Sequence, residues 1–178
     1  MLVLLKKIVS FIVIICLIAI IFIFIPQKQV LIFYEKNSGN IAAYMPTFDD
    51  QHFNITFVHS IHLTDVVEKY RITAEDKIEQ HEIVFEEFGI GMPSTVEEGE
   101  EFFYEDGKYH IKNLNNVFDD MKIRNGKTVS EHRFTWFDKN SDEHTVLFND
   151  FFEPGNWYTV KVEHISLFRA WKEVKIHD

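Results

Sequence analysis

The segment His59-Ser60-Ile61-His62 holds the residue types most able to do chemistry. Its two histidines, with Glu68 and His81 further along the chain, are side chains of the kinds that bind zinc. The H-x-x-H spacing suits one face of a helix, but the alternating apolar residues before it predict the end of a strand. Residues three apart on a strand point to opposite faces, so we expect one buried and one exposed histidine. The sequence therefore predicts no metal site and no cofactor.

The same segment also has the residue types of a hydrolytic triad, since Ser60 adjoins His59 and lies near Asp65 and Glu68. A nucleophile needs its base within about 2.6–3.2 Å, whereas adjacent strand residues point apart. The Gly-x-Ser-x-Gly elbow of many hydrolases is absent around Ser60. The alternative is that Ser60 or Thr64 satisfies backbone groups in a turn. We therefore predict that the protein is not an enzyme.

A second candidate site is the loop Gly89-Ile90-Gly91-Met92-Pro93-Ser94. Its glycines resemble a phosphate-binding loop, but no lysine follows at the required spacing and the neighbouring residues are acidic. We expect the glycines to adopt positive φ or to allow close backbone approach, and Pro93 to fix the loop. A rigid loop of this kind can hold a ligand or clamp a partner.

The composition sets the class of protein that must position these residues. The chain has 178 residues, with 18 Lys+Arg against 28 Asp+Glu and a net charge of -10. This balance argues against a nucleic-acid partner, because phosphate recognition needs clustered cations. Hydrophobic residues make up 46% of the chain, which is enough for a folded core, and the single cysteine, Cys16, excludes an internal disulfide framework.

Residues 8–25 form an apolar run without a charge, long enough to cross the ~30 Å hydrocarbon core of a bilayer. The end of the run is bulky throughout, whereas signal-peptide cleavage needs small residues there. We therefore predict that residues 1–26 are an uncleaved, single-pass signal-anchor in the cell membrane. Lys6 and Lys7 precede the span and favour a cytoplasmic N-terminus. Residues 27–178 are then one extracytoplasmic domain.

Past the anchor, about ten short runs rich in β-branched and aromatic residues alternate with turn signals. The pattern predicts a mainly β fold, either an antiparallel β-sandwich or a partly open barrel. We expect hairpins across residues 37–40 and 105–107, and a pairing of 121–123 with 132–137. Residues 165–171 fit a strand or a short helix. We expect Phe53, Ile55, Phe57 and His59 to share one face of their strand, and Ile83, Phe85 and Phe88 to face inward.

Two motifs stand out together: the first is Phe57-Val58-His59-Ser60-Ile61 with Thr64 and Val67-Glu68, and the second runs from Phe85 to Pro93. This pair of motifs resembles a known bacterial family, domain-of-unknown-function family number 1850. The family has valine and alanine where this chain has Ile61 and Ile90. The resemblance covers about residues 30 to 125 and marks a motif cluster of unknown role: His59, Ser60, Thr64, Glu68, Gly89, Gly91 and Pro93.

The resemblance implies a function in transport. Members of the family are small envelope proteins, often encoded beside the membrane subunit of TAXI-type TRAP solute transporters. We therefore expect an accessory or assembly component of such a transporter, with the permease or the solute-binding protein as partner. The alternative is an envelope domain that binds a small ligand or a metal through the region of His59 and Glu68. Outside Lys6 and Lys7 the chain has a net charge of -12, which predicts repulsion from anionic lipid headgroups.

Overall fold

The computed structural model describes residues 2–88, 91–93 and 95–177. Helix α1 (Leu2–Phe24) carries no Asp or Glu in its first turn and is apolar apart from Lys6, Lys7 and Ser10. Within it, Leu4–Phe24 is long and apolar enough to span a membrane, and none of this stretch is buried. A signal sequence has the same length and composition, so this helix fits either a membrane anchor or a signal sequence.

The smaller of two antiparallel sheets starts directly after this helix. Its four strands are β1 (Pro26–Glu35), β2 (Ile41–Pro46), β8 (Met121–Arg124) and β11 (Trp157–Ser166), in the spatial order β2-β1-β11-β8. The hairpin predicted across residues 37–40 is confirmed, since β1 pairs with β2. Strand β1 is central, and its other neighbour is the last strand of the chain.

The strands of the larger sheet are β3 (His52–Val58), β4 (Asp65–Ile72), β5 (Ile78–Phe85), β6 (Glu101–Glu105), β7 (Lys108–Phe118), β9 (Arg133–Phe137) and β10 (Glu143–Leu147). Their spatial order is β10-β9-β3-β4-β5-β7-β6. The hairpin predicted across residues 105–107 joins β6 and β7, at one edge of this sheet, and is confirmed.

The predicted pairing of 121–123 with 132–137 is wrong. Strand β8 pairs with β11 in the small sheet, whereas β9 lies between β3 and β10 in the large one. The Asn125 side chain holds the start of the connection from β8 to β9, because its Nδ2 donates to Asn149 Oδ1 at 2.9 Å and to the Phe152 carbonyl at 2.8 Å. These bonds join the start of this connection to the loop that contains Asn149 and Phe152, and the chain then passes from the small sheet to the large one.

The two sheets stack face to face over one main core. Phe33 of β1 is fully buried and its ring lies 5.8 Å from that of Phe134 and 4.8 Å from that of Phe152. Phe53 and Ile55 of β3 face the same core, as predicted, because alternate residues on a strand share a face. The predicted fold class is confirmed: a mainly β, sandwich-like antiparallel arrangement behind one N-terminal apolar helix.

The last elements return to the end of α1. Strand β11 ends at Ser166, whose Oγ accepts the Arg169 N–H at 3.2 Å and so caps helix α2 (Leu167–Lys172). This resolves residues 165–171, for which the sequence left strand and helix open. The rings of Phe24 and Phe168 lie 5.0 Å apart, so α2 packs against the end of α1.

The register of the small sheet defines two ends of the sandwich. At the anchor end, Pro26 pairs with Ser166, next to α1 and α2. At the distal end, the Lys36 N–H donates to the Trp157 carbonyl, and Trp157 pairs with Arg124. Strand β1 has 10 residues, so the two ends are about 30 Å apart along it.

Candidate functional site

The histidine motif lies in a closed turn at the distal end, after β3 has ended at Val58. The His59 N–H donates to the Thr64 carbonyl at 2.8 Å, and the Leu63 N–H donates to the His59 carbonyl at 2.9 Å. Within the turn, His59 Nδ1 accepts the N–H groups of Ile61 and His62, at 3.4 and 3.3 Å. His59 therefore holds the turn together, and the Thr64 backbone closes it.

The prediction that His59 and His62 point to opposite faces is wrong, because the chain turns instead of continuing as a strand. Their rings stack with centroids 4.8 Å apart. His62 Nδ1 lies 2.9 Å from Glu87 Oε2, so a carboxylate already engages this ring nitrogen. Among the described residues, no group of three or more His, Cys, Asp or Glu side chains is arranged to hold a metal. The ring of His81 instead lies beside that of His52, at 5.3 Å.

Ser60 has no hydrogen bond to a histidine or a carboxylate within the described part of the chain. A serine nucleophile needs such a base to become reactive. Asp65, the nearest carboxylate along the chain, instead pairs with Arg133 of β9. The turn therefore presents a hydroxyl group that can donate or accept a hydrogen bond.

Glu68 lies on the core face of β4, between Ile55 of β3 and Ile83 of β5. Burial raises the pKa of the Glu68 carboxyl, and the hydrogen bond from Tyr70 Oη, at 2.8 Å, lowers it in part. The same burial raises the pKa of the Tyr70 phenol. A carboxyl that is buried next to one donor is expensive to keep ionised.

We predict that Glu68 opposes folding at neutral pH. Because the pKa of this acid is higher in the folded state than in the unfolded state, the unfolded state loses its proton first. Stability therefore falls as the pH rises from the unfolded-state pKa to the folded-state pKa. Glu68→Gln should therefore raise the free energy of unfolding at pH 7, and the gain should vanish below the unfolded-state pKa. Tyr70→Phe should lower stability by about 1–2 kcal/mol at pH 7, because it removes the hydrogen bond to the carboxylate. Urea unfolding at pH 4 and pH 7 tests both; equal effects of Glu68→Gln at the two pH values would contradict the prediction.

The described end of the second motif packs on the large sheet, where Met92 contacts a cluster of buried residues on β4, β5 and β7. Gly89 falls outside the described residues. Gly91 has φ +90°, which confirms the expected left-handed conformation, and a side chain there would be strained. Pro93 lines an apolar cavity of about 310 Å³ together with Phe88, Val96 and Phe102. The loop is therefore a partial cover over apolar side chains.

The side chains under this loop form an aromatic patch at the distal end, made of Phe85, Phe88, Phe102, Tyr104 and Tyr109. Phe88 was predicted to face inward, but it is 44% exposed. Its ring leans on Tyr109, with centroids 4.4 Å apart. Phe88 follows the end of β5, so strand alternation no longer fixes its direction.

A second cavity at the distal end, the distal pocket, has a volume of about 420 Å³. One wall is the end of β3 with the motif residues His59 and Ser60. The other wall is the end of β8, which supplies Arg124, and the connection from β8 to β9, which supplies Gly126, Lys127, Thr128, Ser130 and His132. This connection was not singled out from the sequence. Its signal was Met121 to Ser130, a stretch with three cations and no acid in a strongly acidic chain.

Two hydrogen bonds from backbone N–H groups stabilise the walls of the distal pocket. The Val58 N–H donates to the Ser130 carbonyl at 2.8 Å, which joins the two walls. The Gly126 N–H donates to His132 Nδ1 at 3.3 Å. Burial lowers the pKa of His132 to about 4, so this imidazole is neutral at pH 7 and carries its proton on Nε2.

The motif residues thus do not form one constellation. His59 and Ser60 line the distal pocket, Glu68 lies on the core face of β4, and Gly91 and Pro93 lie in the loop over the aromatic patch. The family described as Domain of unknown function (DUF1850) matches residues 53–142. The chain belongs to this family. The DUF1850 segment contains both motifs and every residue that lines the distal pocket. Searches of curated proteins and of solved structures found no match.

Proposed function

We propose that this DUF1850 protein is a membrane-anchored accessory component of a solute transporter, with its β domain outside the cytoplasmic membrane. The resemblance to envelope proteins encoded beside TAXI-type TRAP transporters supports the class of partner, a permease or a solute-binding protein. The observation that carries the proposal is the packing of α2 against the end of α1, because it gives the apolar helix a role in the mature protein.

The contact between the two helices forms an aromatic foot at the anchor end, made of Phe24, Phe168 and Trp171. Trp171 is 81% exposed although its ring lies only 6.4 Å from that of Phe168. Tryptophan beside the end of an apolar span is favoured at the membrane–water interface. Cleavage after residue 26 would remove Phe24 and leave Phe168 without this aromatic neighbour. The foot therefore favours a retained anchor over a signal sequence.

Two lysines near the aromatic foot also suit a membrane surface. Lys28 and Lys172 each lie 5.7 Å from the ring of an aromatic residue at this end, Tyr44 and Phe168 respectively. Each juxtamembrane cation contributes about 1 kcal/mol of attraction to an anionic bilayer.

The aromatic patch offers a second surface, at the opposite end of the domain. Tyr104 is 62% exposed, and Phe88 and Phe102 are each 44% exposed. Aromatic residues are enriched at the cores of protein interfaces. In the proposed arrangement α1 and the foot contact the permease, and the patch contacts an extracytoplasmic partner such as the solute-binding protein.

The first test is purification of tagged, full-length protein from its native membrane in a mild detergent, followed by mass spectrometry. We expect the intact mass of the uncleaved chain and a stoichiometric transporter subunit. Deletion of the gene should impair uptake of the cognate solute while the permease level is unchanged. A mature protein that lacks α1, or normal uptake after deletion, would contradict the proposal.

Two matched variants test the patch. Tyr104→Asp changes an exposed side chain on the edge strand β6, and Leu147→Asp changes a side chain of 49% exposure on the opposite edge strand, β10. Both add one negative charge without emptying the core. We expect Tyr104→Asp alone to release the extracytoplasmic partner during co-purification. Equal retention of the partner by both variants would exclude the patch as the contact.

A further inference from the structure

We infer that the distal pocket binds a small organic oxyanion, whose carboxylate or phosphate group lies between Arg124, Lys127 and the hydroxyl groups of the two walls. This site goes beyond the accessory role proposed above, which uses the anchor, the foot and the aromatic patch. The pocket volume of about 420 Å³ is within the range of small-molecule sites.

The charge of the pocket is the first argument. The chain carries 28 Asp+Glu, yet none of them is among the described residues that line the pocket. Arg124 and Lys127 make no ion pair with any residue that the structure describes. By contrast, Lys122 of the same strand is paired with Asp120, and Arg133 is paired with Asp65. Two cations without a counter-ion in an acidic protein favour an anionic ligand.

The geometry of Arg124 is the second argument. Its Nε donates to the Gly155 carbonyl at 3.3 Å, which fixes the guanidinium while both Nη groups keep their hydrogen-bonding capacity. A guanidinium held in this way offers parallel N–H donors, which match the two oxygens of a carboxylate or a phosphate. Arg124 therefore serves as the primary recognition group, and Lys127 adds a second positive charge.

Neutral donors complete the site. Ser60, Thr128 and Ser130 line the pocket, and each of them carries a hydroxyl group. His132 accepts the Gly126 N–H through Nδ1, so the remaining ring nitrogen is a donor at neutral pH. These groups can satisfy an oxyanion without the cost of burying further charge.

An apolar wall defines the rest of the ligand. Phe57 and Val58 line the same cavity, and the Phe57 ring stacks on that of His132 with centroids 5.6 Å apart. Inorganic ions leave such a wall without a contact, whereas the carbon skeleton of an organic acid would cover it. The pocket therefore favours a short organic anion over a free inorganic one.

Isothermal titration calorimetry tests the site with the full-length protein in a nonionic detergent and with succinate, glycerol 3-phosphate and inorganic phosphate as separate probes. We expect saturable, salt-sensitive binding of at least one organic probe, and at least a tenfold weaker affinity in Arg124→Gln/Lys127→Gln. Binding of succinate alone identifies a carboxylate site, and binding of glycerol 3-phosphate alone identifies a phosphate-ester site. Binding of inorganic phosphate only, or of no probe, overturns the inference.

The matched control is Lys122→Gln/Lys139→Gln, which removes the same charge at exposed positions outside the pocket. We expect this control to bind with unchanged affinity. An equal loss in both double variants would mean that only the overall charge matters, and it would overturn the site. Because all four side chains are exposed, both double variants should have unchanged circular dichroism spectra and melting temperatures. Thr128→Val is a further variant that keeps the charge and should weaken binding by only about threefold.

Discussion

Replacing Phe33 with alanine is expected to lower the free energy of unfolding by about 3–5 kcal/mol. The side chain is fully buried, and three phenylalanine rings surround it, those of Phe134, Phe148 and Phe152. Strand β1 is bonded on both sides, by β2 and by β11, so the backbone cannot move in to fill the cavity. A loss of this size is a large share of the ~5–15 kcal/mol that stabilises a typical domain.

Urea unfolding in detergent, followed by tryptophan fluorescence, measures this loss. Trp136 is the suitable probe because it is buried in the same core and stacks on Phe134, with centroids 5.6 Å apart. Leu147→Ala is the control, since this side chain faces outward on an edge strand and should change stability by no more than about 0.5 kcal/mol. A loss below about 1 kcal/mol for Phe33→Ala would show that the core repacks, contrary to the structure.

Replacing Gly126 with alanine is expected to lower the free energy of unfolding by about 2–4 kcal/mol. The loss comes from steric overlap and from breaking the hydrogen bond that the Gly126 N–H donates to His132 Nδ1. A Cβ at this position would overlap the Oγ and Cβ atoms of Ser130, and it would lie 3.3 Å from His132 Cε1. Ser130 cannot simply retreat, because its carbonyl accepts the Val58 N–H that joins the two walls of the distal pocket. The substitution should therefore also weaken any ligand binding there.

The double variant Gly126→Ala/Ser130→Gly separates this clash from a general effect of alanine. Removal of the Ser130 side chain leaves room for the new Cβ, so the double variant should recover at least about 1 kcal/mol relative to the sum of the single changes. Equilibrium unfolding of the four proteins in the cycle gives this coupling energy. Additivity within about 0.5 kcal/mol would show that Gly126 is not required for close approach.

Local features of the fold could be predicted from the sequence because they depend on neighbouring residues. The turns at 37–40 and 105–107 have the residues that hairpins need, and Phe53 and Ile55 alternate toward the core. Strand partners depend on distant residues, so β8 was assigned to the wrong neighbour. The direction of Phe88 was also wrong, because β5 ends at Phe85 and periodicity stops with the strand.

The candidate site shows the same limit. The sequence singled out His59 and Ser60, but the opposite wall of their pocket is formed by the end of β8 and the connection from β8 to β9. The expectation of opposed histidines failed because it treated residues 59–62 as a strand, whereas His59 Nδ1 accepts two backbone N–H groups and stabilises a turn. Side-chain capping of this kind has no periodic signature.

The pairing of β1 with β11 has a consequence for how the protein is made. Tyr34 and its partner Thr159 are about 125 residues apart, so the ribosome needs about 6–25 s between them at ordinary rates of synthesis. During that interval β2 can pair with one edge of β1, but the edge that later pairs with β11 has no hydrogen-bonding partner. This unpaired strand contains Val30, Leu31, Ile32 and Phe33, which are fully buried in the folded protein. Such a segment is prone to aggregate. We therefore expect nascent chains to depend on chaperones until the last strand is released, and stop codons that remove β11 to yield insoluble or degraded protein.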